Sequence, residues 1–118
     1  MLGAYNADIK ESSISGISSG AFMAVQFGVS WSSVVKGVGV IAGGPYYCAQ
    51  GTATDGLVGN LGPSLTATGP CMKGPPPDLE PLIEKADEWA HGKDIDDLHN
   101  IASQRIYVFS GYNDSVVN

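Results

Sequence analysis

Positive charge is what this 118-residue chain has least of: six Lys and Arg stand against twelve Asp and Glu, for a formal net charge of −6. Affinity for a phosphate backbone rests on clustered cations, so a nucleic-acid partner is not expected. Long apolar runs are also missing. Stretches such as Val38 to Ala42 fall far short of the roughly 20 residues that a membrane-crossing helix needs, so a soluble chain with no membrane partner is expected. Met1 to Lys10 has neither a basic start nor a long apolar segment, and no secretion signal is visible there. Cysteine is limited to Cys48 and Cys71, without a CxxC spacing or a neighbouring His, which argues against a zinc site. No metal and no cofactor are expected. Histidine is as scarce, with only His91 and His99.

What remains is an ordinary globular composition, 43% hydrophobic, enough for one small domain with a modest core. Ser13 to Ile17 reads as a short strand that runs into the turn Gly16-Ile17-Ser18-Ser19-Gly20. From Ser19 to about Ser30, the residues Phe22, Met23, Val25, Phe27 and Val29 cover most of a helical wheel, and Gly28 among them permits close packing. Gly37 to Ala42 is a continuous apolar run ended by Gly43-Gly44-Pro45, as expected for a strand buried on both faces of a parallel sheet. Residues 43–77 form an irregular Gly- and Pro-rich insertion, of the kind that is either functional or flexible. Asp78 offers a cap to a helix carried by Leu79, Leu82, Ile83, Ala86, Trp89 and Ala90, with Pro81 tolerable in its first turn. Gly92 stops it, Asp94 can cap a shorter helix through Ile95, Leu98 and Ile101, and Arg105 to Ser110 is a third strand. The fold class is therefore α/β with a parallel sheet. Three strands with both edges unpaired would be poorly protected, so the chain reads as part of a larger fold.

The chemistry centres on GxSxG, in which a serine sits on a sharp strand-to-helix turn and small flanking residues relieve crowding. The strand before the pattern and the apolar helix after it are the context this motif requires. A nucleotide loop would use similar amides, but GxGxxG and GxxxxGK[ST] are both absent. Ser18 is thus the candidate nucleophile. The backbone N–H of Ser19 is the candidate oxyanion donor, aided by the positive end of the helix dipole. A serine hydroxyl needs a base, and that base needs a carboxylate. Asp114, just past the end of the third strand, is the candidate acid, in the chain order Ser then Asp. A turn-forming Asp is the plainer alternative. Both histidines precede Asp114 and suit surface or capping roles, so the triad His is not found. Among Trp31, Tyr46, Tyr47 and Trp89, the adjacent Tyr46 and Tyr47 are the best candidates for a substrate groove, because they adjoin a strand end. Cys48 and Cys71 are either a disulfide or two free thiols. The stretch between them has little core of its own, and a crosslink there would remove roughly 3 kcal/mol of loop entropy from the unfolded chain, which favours the disulfide and an oxidising compartment.

The runs Ser15-Gly16-Ile17-Ser18-Ser19-Gly20-Ala21-Phe22-Met23-Ala24-Val25-Gln26 and Ala42-Gly43-Gly44-Pro45-Tyr46-Tyr47-Cys48-Ala49, with Ser110-Gly111 leading to Asp114, resemble the extracellular poly(3-hydroxybutyrate) depolymerases, in particular the single-domain type with a circularly permuted α/β-hydrolase fold. The resemblance implies that residues 1–118 are the N-terminal portion of one catalytic domain with a nucleophile elbow. It also implies secretion, a disulfide at Cys48, Ser18 as nucleophile, Ser19 as oxyanion donor and Asp114 as acid. Permutation would explain why the nucleophile strand comes almost first. The family's His and second oxyanion donor have no counterpart here, so a truncated product or partial gene with negligible activity alone is expected. The expected function is hydrolysis of carboxylic esters in a polyester or short ester substrate. The alternatives are a general or feruloyl-type esterase, or a noncatalytic remnant that binds polyester.

Overall fold

The β-branched and small residues at the start of the chain form β1 (Ser12–Ile17), after a single 3-10 turn at Ile9–Glu11 capped by the Asp8 carboxylate. The structure is a computed structural model that describes residues 5–49, 67–73 and 75–117. Helix α1 (Ser19–Ser30) follows β1 directly, then β2 (Val35–Ile41), helix α2 (Glu80–Gly92), a 3-10 segment at Leu98–Ser103 and β3 (Arg105–Phe109). Each strand lies within two residues of its sequence expectation. The strands form one parallel sheet in the order β1-β2-β3.

Alternation along the strands sorts the sheet into two faces. One carries Ile14, Val38 and Val40, and α1 closes over it with Ala21 and Ala24, both fully buried, while Val35 completes the cluster and Val25 packs against it. Gly28 makes this approach possible, because a Cβ there would lie 2.7 Å from Val38 Cγ2. The other face is set by the pairings Ser13–Gly37–Arg105, Ser15–Gly39–Tyr107 and Ile17–Ile41–Phe109. It is not covered by the described residues: Ile17 is 65% exposed, Tyr107 62% and Phe109 52%. The expectation that β2 is buried on both faces is therefore corrected. Two residues of its apolar run, Gly37 and Gly39, bring no side chain for a covering layer to pack upon.

Two local expectations change in detail. Lys93 ends α2 in a left-handed conformation, with the Asp94 N–H bonded to the Trp89 carbonyl, so Asp94 closes that helix and caps no other. The following segment is 3-10 rather than α, and Asp97 caps it by accepting from the His99 N–H. At the start of α2 the Asp78 carboxylate does accept from Glu80 N–H, one position before the residue at the boundary, Leu79. Of the irregular stretch 43–77, residues 50–66 and 74 lie outside the described residues.

Candidate active site

Ser18 stands between the last residue of β1 and the first of α1, with φ 56° and ψ −124°. This is the mirror image of an ordinary turn conformation and is normally left to glycine, at a cost of about 1–3 kcal/mol for a residue with a Cβ. Surrounding bonds hold it there. Its N–H donates to the Ile41 carbonyl at 3.0 Å, and its carbonyl accepts from Ala21 and Phe22. Gly16 makes room for the turn: a Cβ at that position would lie 2.2 Å from the Gly20 carbonyl group. A Cβ at Gly20 would meet nothing within 4 Å, so the crowding at this bend falls on one glycine only.

The strained backbone has a chemical consequence. A serine at this position ordinarily caps its helix by accepting from an amide of the first turn, yet Ser18 makes no side-chain cap bond. Its hydroxyl is left to face a neighbouring cavity. The Ser19 and Gly20 amides, at the first turn, have no intrahelical acceptor, and no acidic side chain occupies that turn to compete for them. Free amides and the dipole together make this a place where negative charge is stabilised.

The cavity has a volume of about 520 Å³ and begins at Ser18 and Ser19. Its floor is one face of α1, where Phe22, Met23, Gln26 and Ser30 follow Ser19 at helical spacing. Tyr46, Tyr47 and Trp89 form a wall: the Trp89 ring stands edge-on to Tyr47, centroids 4.8 Å apart, and to Tyr46 at 6.2 Å. Tyr46 and Tyr47 thus both line the cavity. Trp89 joins them from 42 positions away in the chain, while Trp31 stacks on Phe27 outside the cavity. None of the described side chains that line the space carries a full charge, which suits an uncharged guest.

Cys48 and Cys71 form a disulfide that closes the wall from behind. Both are buried, and they cluster with Leu82 of α2, against which Phe22 and Tyr47 pack. Leu82, Ala86 and Trp89 share one stripe of α2, so the packing that docks the helix also delivers Trp89 to the cavity.

Asp114 lies five residues beyond β3, in a turn where its N–H donates to the Gly111 carbonyl. Its Oδ1 accepts from the Val116 and Val117 N–H groups, both at 2.9 Å. The Val117 amide first, and Val116 next, holds the carboxyl below the usual carboxylate range. Oδ2 has no partner among the described residues. The carboxylate therefore does shape a turn, with one oxygen left over. The structure brings Ser18 and Asp114 to the same carboxyl edge of the sheet without placing Asp114 in the wall of the cavity. Bonds continuing past the strand ends lock this edge, Ser18 N–H to Ile41 and Ala42 N–H to Phe109 at 2.8 Å. At the usual spacing of neighbouring strands, β1 and β3 lie about 10 Å apart in the sheet. Neither histidine bridges Ser18 and Asp114. His91 donates from Nδ1 to the Asp87 carbonyl of its own helix, His99 sits on the 3-10 segment, and both are exposed. Among the described residues no set of His, Cys, Asp and Glu is grouped to hold a metal ion.

Sequence comparison shows what this arrangement accompanies. The chain is 40% identical over 118 aligned positions, 98% of its length, to a poly(3-hydroxybutyrate) depolymerase of Delftia acidovorans. It is 35% identical over 117 positions to a polyhydroxybutyrate depolymerase of Talaromyces funiculosus. It spans only 22% and 30% of those two proteins, respectively. No family profile matches the chain, and no solved structure matches it.

Proposed function

We propose, for a chain that resembles part of poly(3-hydroxybutyrate) depolymerases along 98% of its own length, that these residues supply the nucleophile and the acid of a serine carboxylic-ester hydrolase acting on polyesters of hydroxyalkanoates. The observation that carries the reading is Ser18 itself. Its backbone is held at φ 56°, its hydroxyl is not spent on capping, and a largely apolar cavity opens beside it. This is a nucleophile elbow in a permuted α/β-hydrolase fold, with GxSxG at the bend.

In this mechanism Ser18 Oγ attacks the ester carbonyl carbon and its proton passes to an imidazole. The Ser19 N–H meets the oxyanion that forms. The alcohol then leaves with the proton, and water releases the acyl group from Ser18. Asp114 orients and stabilises the imidazolium through its remaining oxygen. A polypeptide of these 118 residues has no imidazole in place for that task, so alone it hydrolyses p-nitrophenyl butyrate negligibly. The disulfide fits a secreted protein.

The positions of His91 and His99 favour a second reading, in which the 118 residues bind polyester without cleaving it. A graft separates the two. The matching stretch of the Delftia acidovorans depolymerase is replaced by these residues, and hydrolysis of poly(3-hydroxybutyrate) film is compared with that of soluble aryl esters, which a general or feruloyl-type esterase would prefer. The expected result is a folded chimera that degrades film and loses roughly 10⁴-fold or more in kcat with Ser18→Ala. Film degradation that survives Ser18→Ala overturns the proposal, and film binding without hydrolysis supports the second reading.

A further inference from the structure

The cavity beside Ser18 is apolar along most of its described length, which makes the one amide side chain among its described lining residues informative. Gln26 lies on α1 two turns beyond Ser19, about 10 Å further along the helix at the usual rise per residue. Phe22 and Met23 cover the interval between them. The Gln26 Oε1 accepts from the Tyr47 N–H at 3.4 Å. Because the Tyr47 amide can only donate, the atom facing it is the carbonyl oxygen, and the side-chain orientation is fixed. Nε2 is left with its hydrogens and has no acceptor among the described residues. Tyr47 is itself held at φ 59° and stands edge-on to Trp89, so the element that orients Gln26 is part of the aromatic wall.

We propose that Gln26 is a specificity-determining residue of this cavity, its Nε2 donating to a second ester carbonyl of a guest whose first ester lies at Ser18. The inference rests on the cavity being the acyl site and names what that site distinguishes. A plain fatty ester can fill the apolar stretch over Phe22 and Met23, but it leaves the amide donors facing hydrocarbon. That loss is the penalty of an unpaired polar group. An oligomeric hydroxyacyl ester presents acceptor oxygens at intervals along the chain and satisfies them. The described lining has no full charge, so the preferred guest is an uncharged oligoester and not its free acid.

The test uses binding to the 118-residue chain, so it does not depend on turnover. The methyl ester of a linear 3-hydroxybutyrate dimer and a methyl alkanoate of matched length are titrated by NMR, with the Trp89 indole N–H as reporter. The parent is expected to bind the diester roughly five- to tenfold more tightly, the worth of one net hydrogen bond. Gln26→Glu keeps the acceptor for Tyr47 and removes both donors; Gln26→Met keeps the volume without charge. Both variants are expected to lose the preference for the diester over the alkanoate. A preference that persists in both variants overturns the assignment of Gln26 and leaves the acyl-site reading intact. A parent that binds neither ester overturns both.

Discussion

Two glycines of one motif carry different burdens at the residue scale. Gly16 faces the Gly20 carbonyl group at a distance no Cβ tolerates, whereas Gly20 faces open space. Gly16→Ala is therefore expected to destabilise the chain by roughly 3 kcal/mol, since backbone, unlike a flexible side chain, cannot yield. Gly20→Ala is expected to leave stability unchanged or raise it by up to about 1 kcal/mol, because alanine is the better helix former. Urea denaturation of the two variants checks the contrast, and equal losses would contradict it. The motif was legible in the sequence, including the serine at its bend. Which glycine the bend needs was not, because spacing does not say toward which atoms a missing Cβ would point. Asp114 shows the same limit: its position after a strand was readable, but the two amides that hold its Oδ1 come from Val116 and Val117, residues with no polar side chain to signal them.

At the scale of elements, α1 serves two surfaces at once. Ala21, Ala24 and Gly28 press it onto the sheet, while Ser19, Phe22, Met23, Gln26 and Ser30 line the cavity. The sequence showed a helix apolar on most sides but could not divide those sides between core and cavity, since both are apolar. Trp89 ranked below the two tyrosines as a groove residue for a related reason: it follows the core stripe of α2, and only the docking of that helix on the disulfide turns it toward Tyr47. The disulfide spans a sequence separation of 23 residues. Replacing both Cys48 and Cys71 by Ala is expected to lower stability by about 3 kcal/mol and to weaken the near-ultraviolet circular dichroism of the aromatic wall. A loss below about 1 kcal/mol, with the aromatic signal kept, would show that the wall stands without the crosslink.

Across the whole molecule, the order strand, helix, strand, helix, strand was readable, because periods of two and 3.6 residues alternate with Gly- and Pro-rich punctuation. The bare sheet face was not, because an apolar strand looks the same whether or not a second layer covers it. Ile17, Tyr107 and Phe109 leave a surface of the kind that soluble monomers seldom expose. The double change Tyr107→Lys and Phe109→Lys is expected to reduce self-association and binding of an apolar dye by the 118-residue chain, as measured by light scattering and fluorescence. Unchanged association would place the sticky surface elsewhere. The central claim, that the strained Ser18 is the attacking group, is tested most directly by treating the depolymerase chimera with a p-nitrophenyl alkylphosphonate and mapping the adduct by mass spectrometry. The account expects one equivalent of p-nitrophenol and a phosphonyl group on Ser18 alone, with slower labelling in Asp114→Asn. A hydrolytically active chimera that carries the group on another serine, or on none, would contradict it.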